Sequence, residues 1–242
     1  MTLTRQFSAL CHASLYAAYV KILIVGSCTG DKDTAGFSSV LSRQEVDKMR
    51  FSGSLKSKSQ SGRSARDLYK GQQHKQMFSG IDLLRKQYGV ETCTVKIVSA
   101  AYGLVSENQR LLPYEATFKE KGISPRKRGQ ELGIASDIQR SMVGFSLIFF
   151  LLGKEYLKSI HTSIIPSPDQ RLIFFAPPNS SLPAEYPILV PITSKGSGNI
   201  AIKGRAFKWL AAGMCMSSKS PEYLMSNTAQ RVRALIELGQ SV

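Results

Sequence analysis

Unbroken apolar runs alternate along the chain with segments of helical periodicity. Lys21–Gly26 (KILIVG), Thr94–Ser99 (TVKIVS), Ser146–Leu152 (SLIFFLL) and Leu172–Ala176 (LIFFA) read as short strands buried on both faces, and Ile188–Ile192 as a fifth. Asp67–Tyr88 carries an apolar face of Leu68, Met77, Ile81 and Leu84, with Gly89 where a C-cap belongs and Gly71 and Gly80 as interruptions. Ser124-Pro125, a good N-cap and N1 pair, opens a helix over Arg126–Met142. A short helix follows at Lys154–Ile160, and terminal helices at Gly204–Met214 and Glu222–Leu238. This alternation predicts an α/β fold: a mostly parallel central sheet with helices on both faces. Ligands of such sheets bind beyond the carboxyl ends of the strands. The glycine-containing loops Gly26–Lys32 and Ser99–Gly103 are therefore the places to search for function.

The pattern predicts one α/β domain over residues 21–242, preceded by an extension over residues 1–20. That extension is largely apolar and free of acidic residues, as targeting segments are, but it flows straight into the first strand; packing on the domain is the expectation. A basic, flexible insertion is expected at about residues 33–64. Its core, MRFSGSLKSKSQSGRSAR over residues 49–66, is rich in Ser, Gly and base, and is expected to stay mobile or lie on the surface. No apolar run is long enough to span a bilayer, so no membrane partner is expected.

Charge changes the picture more than composition does. The chain has 32 Lys+Arg against 17 Asp+Glu, a net +15, which points to a polyanionic partner: nucleic acid, with DNA favoured over RNA. The four cysteines, Cys11, Cys28, Cys93 and Cys215, form no CxxC pair, which fits a reduced, cytoplasmic setting. The histidines, His12, His74 and His161, are scattered; no metal site and no cofactor motif is expected.

Four constellations carry candidate chemistry. In the first loop, Ser27, Cys28, Thr29 and Lys32 are ligand-binding candidates, since small residues let backbone amides and hydroxyls approach an anion; Asp31 is a candidate for activating water. Cys28 reads more simply as a buried, inert thiol. In the second, Ser99, Tyr102, Gly103, Pro113, Tyr114 and Glu115 combine a strand-end hydroxyl, two aromatics able to stack on a base and a carboxylate; the plainer reading makes both tyrosines loop anchors. The third brings Arg66, Tyr69 and His74, the last with acid–base chemistry in range. The fourth is a basic cluster, Lys119, Lys121, Arg126, Lys127 and Arg128, expected to meet nucleic-acid phosphates.

Taken in order, Ser27-Cys28-Thr29, Ala65-Arg66-Asp67-Leu68-Tyr69-Lys70-Gly71, Val98-Ser99-Ala100-Ala101-Tyr102-Gly103-Leu104 and Leu112-Pro113-Tyr114-Glu115 resemble the DUF6884 family over about residues 21–160. The second pair of motifs is similar, more distantly, to the YaaA (DUF328) family, which is linked to peroxide stress and DNA binding. The resemblance implies one shared site built from Ser27, Lys32, Arg66, Tyr69, Ser99, Tyr102, Gly103, Pro113, Tyr114 and Glu115, and supplies no reaction. Lys32 falls one residue later than the family pattern, and Lys70 replaces a hydroxyl residue before Gly71. Three readings stay open: an enzyme acting on a nucleic-acid base or nucleotide, at an N-glycosidic bond, with Ser99, Tyr102, Glu115 and Asp31 as its catalytic set; a DNA- or RNA-binding protein without catalysis; and an enzyme for a small phosphorylated metabolite.

Overall fold

The computed structural model describes residues 20–160, 164–176, 188–191 and 201–241. The N-terminal extension up to residue 19, Cys11, His12, His161 and Pro177-Pro178 lie outside the described residues. The fold is mixed α/β around a six-stranded sheet that is parallel except at one edge. Its members in chain order are β1 (Ile22–Ser27), β4 (Cys93–Ser99), β5 (Gly103–Ser106), β8 (Leu147–Leu151), β9 (Arg171–Ala176) and β10 (Ile188–Pro191). Across the sheet they run β10-β9-β8-β1-β4-β5. β1 pairs in parallel with both β4 and β8, β9 with β8 and β10, and only the β4–β5 hairpin is antiparallel. Counted among themselves, the parallel strands lie in the doubly wound order 2-1-3-4-5. Such an order reverses direction beside the first strand, and a crevice opens there at the carboxyl end of the sheet.

The apolar strand runs are explained by what covers them. On one face Ile22, Ile24, Val95, Ile97 and Phe149 pack against α4 (Gln72–Tyr88), α8 (Ile202–Met216) and α9 (Thr228–Gln240). On the other Leu23, Val25, Val98, Ile148 and Phe150 meet α6 (Ile134–Ser141) and α7 (Lys154–Ile160). Neighbouring phenylalanines show the period of two: Phe150 stacks on Phe174 at 4.4 Å on one face, Phe149 on Phe175 at 6.0 Å on the other.

Three helical patterns are broken in the structure. The Asp67–Tyr88 pattern divides at its Gly71 interruption into α3 (Ala65–Leu68) and α4, because Tyr69 turns extended and bridges to Lys32. The Arg126–Met142 pattern divides into α5 (Pro125–Glu131) and α6 because Gly133 takes a left-handed conformation between them. The Glu222–Leu238 pattern divides because Pro221–Met225 forms a 3-10 helix and Asn227 takes a left-handed conformation before α9 begins at Thr228.

Much of the insertion lies on the surface as expected, with Phe51–Gly53 and Lys56–Lys58 exposed, but it carries more secondary structure than its composition suggests. Residues 33–64 are not a structureless loop but a string of small elements: β2 (Leu41–Ser42), α1 (Arg43–Phe51), α2 (Leu55–Lys58), a 3-10 turn at Ser59–Ser61 and β3 (Arg63–Ser64). β2 pairs with β7 (Tyr114–Glu115) and β3 with β6 (Arg110–Leu111). Val46 is fully buried, and Leu41 and Leu55 pack on the core. A few anchors suffice because the partners are backbone ladders and caps rather than apolar area: Ser42 forms a reciprocal capping box with Glu45.

Candidate functional site

β1 and β4 are parallel neighbours, so Ser27 and Ser99 leave the sheet at the same edge. Behind that edge lies a directed chain of hydroxyls. Ser99 Oγ accepts from the amides of Ala101 (3.2 Å) and Tyr102 (3.0 Å), which fills its lone pairs. Its proton must therefore go to the Tyr114 hydroxyl at 2.7 Å. Tyr114 in turn donates to the Tyr69 hydroxyl at 2.8 Å, leaving the Tyr69 proton as the free end of the chain. Burial drives both tyrosines well above the ordinary phenol pKa, so both stay protonated donors.

The turn that presents Ser99 is held from outside by two arginines. Arg50 of α1 donates to the Ala101 carbonyl, and Arg128 of α5 donates through Nε to the Ala100 carbonyl at 3.1 Å. Asp47 lies between them, 2.8 Å from each guanidinium. With both carbonyls drawn outward, the amides of 101 and 102 face Ser99. Tyr114 is fixed in the same way by the insertion: β2 pairs with its strand, and Leu41 N donates to the Pro113 carbonyl.

In front of the hydroxyl chain stands Lys32. The loop Cys28–Asp33 is stapled to the segment after α3: Asp33 N donates to Leu68 O, Lys70 N to Asp31 O, and Gly71 N to Thr29 Oγ1. A Cβ on Gly71 would lie 2.6 Å from the Thr29 Cβ, so glycine is required for this approach. Lys32 Nζ comes to rest 4.5 Å from the centre of the Tyr114 ring. Burial lowers its pKa, partly opposed by Cys28, Glu115 and Asp31. Asp31 and Glu115 are exposed, so two carboxylates and one half-buried lysine face solvent at this edge. At the reversal point, between β1 and β8, the Tyr156 hydroxyl of α7 lies 3.0 Å from Cys28 Sγ, while Gln73 of α4 donates to Ser27 Oγ and to the Leu151 carbonyl.

Several predicted site residues do other work. Tyr102 donates to the Leu112 carbonyl at 3.3 Å and packs edge-on against Tyr114, which makes it a loop anchor. Ser99, Tyr114 and Tyr69 are at most 1% exposed. Thr29 donates to the Asp31 carbonyl and is no free donor. Arg66 turns away from the edge, pairing with Asp82 at 2.8 Å and lying over Phe78. His74 is buried; its Nε2–H donates to the Arg66 carbonyl, and desolvation lowers its pKa to about 4, so it is neutral. Gly103 pairs with Ser99 as the first residue of β5.

The basic cluster splits. Lys119, Lys121, Arg126 and Lys127 are exposed, and Arg126 lines an open groove of about 510 Å³ with Gln130, Ser136, Arg140 and Lys158. Arg128, expected on phosphates, is only 6% exposed and engaged by Asp47 and Glu131, so it is structural. One helical position separates Lys127 from Arg128, enough to turn a side chain inward. Sequence reading missed Arg50, Asp47, Gln73 and Tyr156. Asp47 and Arg50 sat in or beside the stretch read as mobile, and no local signal marks the other two. Among the described residues no helix is long and apolar enough to cross a membrane, and no group of three or more His, Cys, Asp or Glu side chains could hold a metal ion.

The architecture is thus a doubly wound α/β sheet with a lysine set over a buried tyrosine–serine chain at its carboxyl edge. The chain belongs to the family of unknown function DUF6884, whose model matches residues 51–171. That span contains Tyr69, Ser99 and Tyr114 and leaves out Lys32. No curated protein matches the chain.

Proposed function

We propose that the protein is an enzyme acting on a base or nucleotide of nucleic acid, at the N-glycosidic bond, with Lys32 as its central side chain. The observation that carries this reading is the placement of Lys32: half-buried, over an aromatic ring, beside two exposed carboxylates at the edge where doubly wound sheets bind ligands. In hydrolysis, water attacks the sugar C1′ and gives its proton to Asp31 or Glu115. The C–N bond breaks, and the departing base nitrogen takes a proton from the Lys32 ammonium. Burial makes that ammonium a readier acid. The net charge of +15 supports a polyanionic substrate. Ser99, Tyr114 and Tyr69 act as positioning residues, since they are enclosed.

That enclosure also favours a second reading, a nucleic-acid-binding protein without turnover, in which the hydroxyl chain only fixes shape. The experiment is release of free base from defined oligonucleotides and nucleotides by wild-type protein and the Lys32→Met, Asp31→Asn and Glu115→Gln variants. Loss of release in Lys32→Met, with oligonucleotide binding retained, is expected. Binding without release of any base by wild type overturns the enzyme in favour of the second reading.

A further inference from the structure

The α1–α2 corner carries the most exposed large apolar side chain among the described residues: Phe51, at 88%. It is the last residue of α1, and the chain behind it is folded tightly. Ser52 N donates to Lys48 O and Gly53 N to Arg50 O. The hydroxyls of Ser52 and Ser54 lie 2.8 Å apart, and Ser52 Oγ donates to the Met49 carbonyl. Gly53 has φ +72, a left-handed turn that a side chain would strain. A hydrogen-bonded corner therefore displays the ring rather than a loose loop.

The surroundings are cationic. Lys48, Lys56 and Lys58 are exposed and form no ion pair among the described residues. No acid of α1 forms an ion pair with these lysines: Glu45 receives the Ser42 amide and hydroxyl and meets Lys48 only through the longer-range attraction of its charge, and Asp47 binds Arg43, Arg50 and Arg128. The same helix holds the candidate site, because Arg50, next to Phe51, donates to the Ala101 carbonyl. A rigidly displayed aromatic ring among unpaired lysines is the equipment for holding unpaired bases, the ring stacking on one base while the cations follow the backbone.

We propose that this corner binds single-stranded nucleic acid, with Phe51 stacking on a base and Lys48, Lys56 and Lys58 meeting the flanking phosphates. The proposal rests on the nucleic-acid reading above and names the surface that would guide the strand to the Lys32 edge. The test is anisotropy titration of labelled oligonucleotides of about a dozen residues, oligo-dT and oligo-rU, against wild type, Phe51→Ala, Phe51→Trp and the Lys56→Gln/Lys58→Gln double variant. Phe51→Ala should weaken binding about 5- to 100-fold with an unchanged melting temperature. Phe51→Trp should keep affinity, and its fluorescence should be quenched on binding. The double variant should flatten the log–log salt slope by about 1.4. The tighter of the DNA and RNA arms identifies the sugar. Salt-dependent binding that ignores Phe51→Ala overturns the corner while leaving the nucleic-acid reading standing. No binding of either oligonucleotide at low salt overturns both. A change in the fluorescence of the Phe51→Trp variant with protein concentration alone makes the corner a contact between copies and also overturns the proposal.

Discussion

The turns after β1 and β4 leave the sheet at the same edge, from neighbouring parallel strands, yet they end in opposite conditions. The turn after β4 is closed: Ser99, Ala100 and Ala101 are at most 1% exposed, and the serine hydroxyl and both alanine carbonyls have partners. The loop after β1 is open, with Asp31 exposed and Lys32 half out of water. Topology brings both turns to a ligand-binding position. What separates them is the insertion, whose α1 lies over the second turn through Arg50 and Asp47 and leaves the first uncovered. Being at the carboxyl edge of the sheet is thus not enough to leave a residue open to a ligand. One turn is enclosed, and the other presents a carboxylate and a lysine to solvent.

The comparison breaks most easily at the arginine bracket. Arg128→Met removes the hydrogen bond to the Ala100 carbonyl and one of the charges facing Asp47. Breaking a buried ion pair from one side costs several kcal/mol; with Arg50 and Arg43 still near Asp47, a loss of about 3 kcal/mol is expected in urea unfolding. A loss under about 1 kcal/mol, the usual ceiling for surface pairs, would mean that the closed turn does not depend on the bracket.

His74 gives the next effect, and its sign is fixed by burial. Its folded pKa of about 4 lies below the ordinary 6.5. Between those values the unfolded chain binds a proton that the folded chain refuses, so stability falls as pH drops from 6.5 towards 4. The shift corresponds to a loss on the order of 3 kcal/mol at most. Wild type should show this slope, and His74→Phe, which removes the titration, should lack it. Parallel curves would place the acid sensitivity elsewhere.

Ser99→Ala tests the closed turn directly. It leaves the Tyr114 hydroxyl and two backbone amides without their shared partner, and should cost about 2 kcal/mol. Tyr114→Phe, which removes one donor and keeps the ring, should cost about 1 kcal/mol. If Ser99→Ala were silent in stability but abolished ligand processing, Ser99 would belong with the reactive groups instead.

The sheet was legible in the sequence because strands buried on both faces must be apolar throughout: Lys21–Gly26 and Ser146–Leu152 fall within a residue of β1 and β8. Edge strand β5 was not, since four residues with alternating burial carry too little pattern. The secondary structure of the insertion was missed for a related reason. Its order comes from pairing with β6 and β7, far along the chain, and from capping, neither of which leaves an apolar signature. The candidate site was legible as a set of loops but not as a set of roles. Lys127 and Arg128 look alike in sequence and differ only in which way the helix turns them. Tyr102 and Tyr114 look alike too, and only the fold sends one hydroxyl to a backbone carbonyl and the other into the Ser99 chain.

The smallest stability effect belongs to Lys32, and its direction sharpens the contrast between the two turns. Burial lowers the pKa of Lys32 below the ordinary lysine value of 10.5, so the ammonium is the disfavoured form in the folded chain. Between the lowered value and 10.5 the unfolded chain holds a proton that the folded one has released. Stability therefore rises with pH through that window. Tyr69 and Tyr114 act in the opposite sense: their raised values make the folded chain keep protons that the unfolded chain loses above 10, so they lower stability there. Between neutral pH and about 10 the lysine acts without the two phenols. Wild type should gain stability relative to Lys32→Met across that interval, while the variant matches or slightly exceeds wild type at neutral pH, where it no longer holds a half-buried charge. Urea unfolding of both proteins at several pH values reads the difference. If Lys32→Met instead destabilised the fold at every pH to the extent of Ser99→Ala, the lysine would be a packing element over Tyr114, and the loop after β1 would have to be classed with the closed turn.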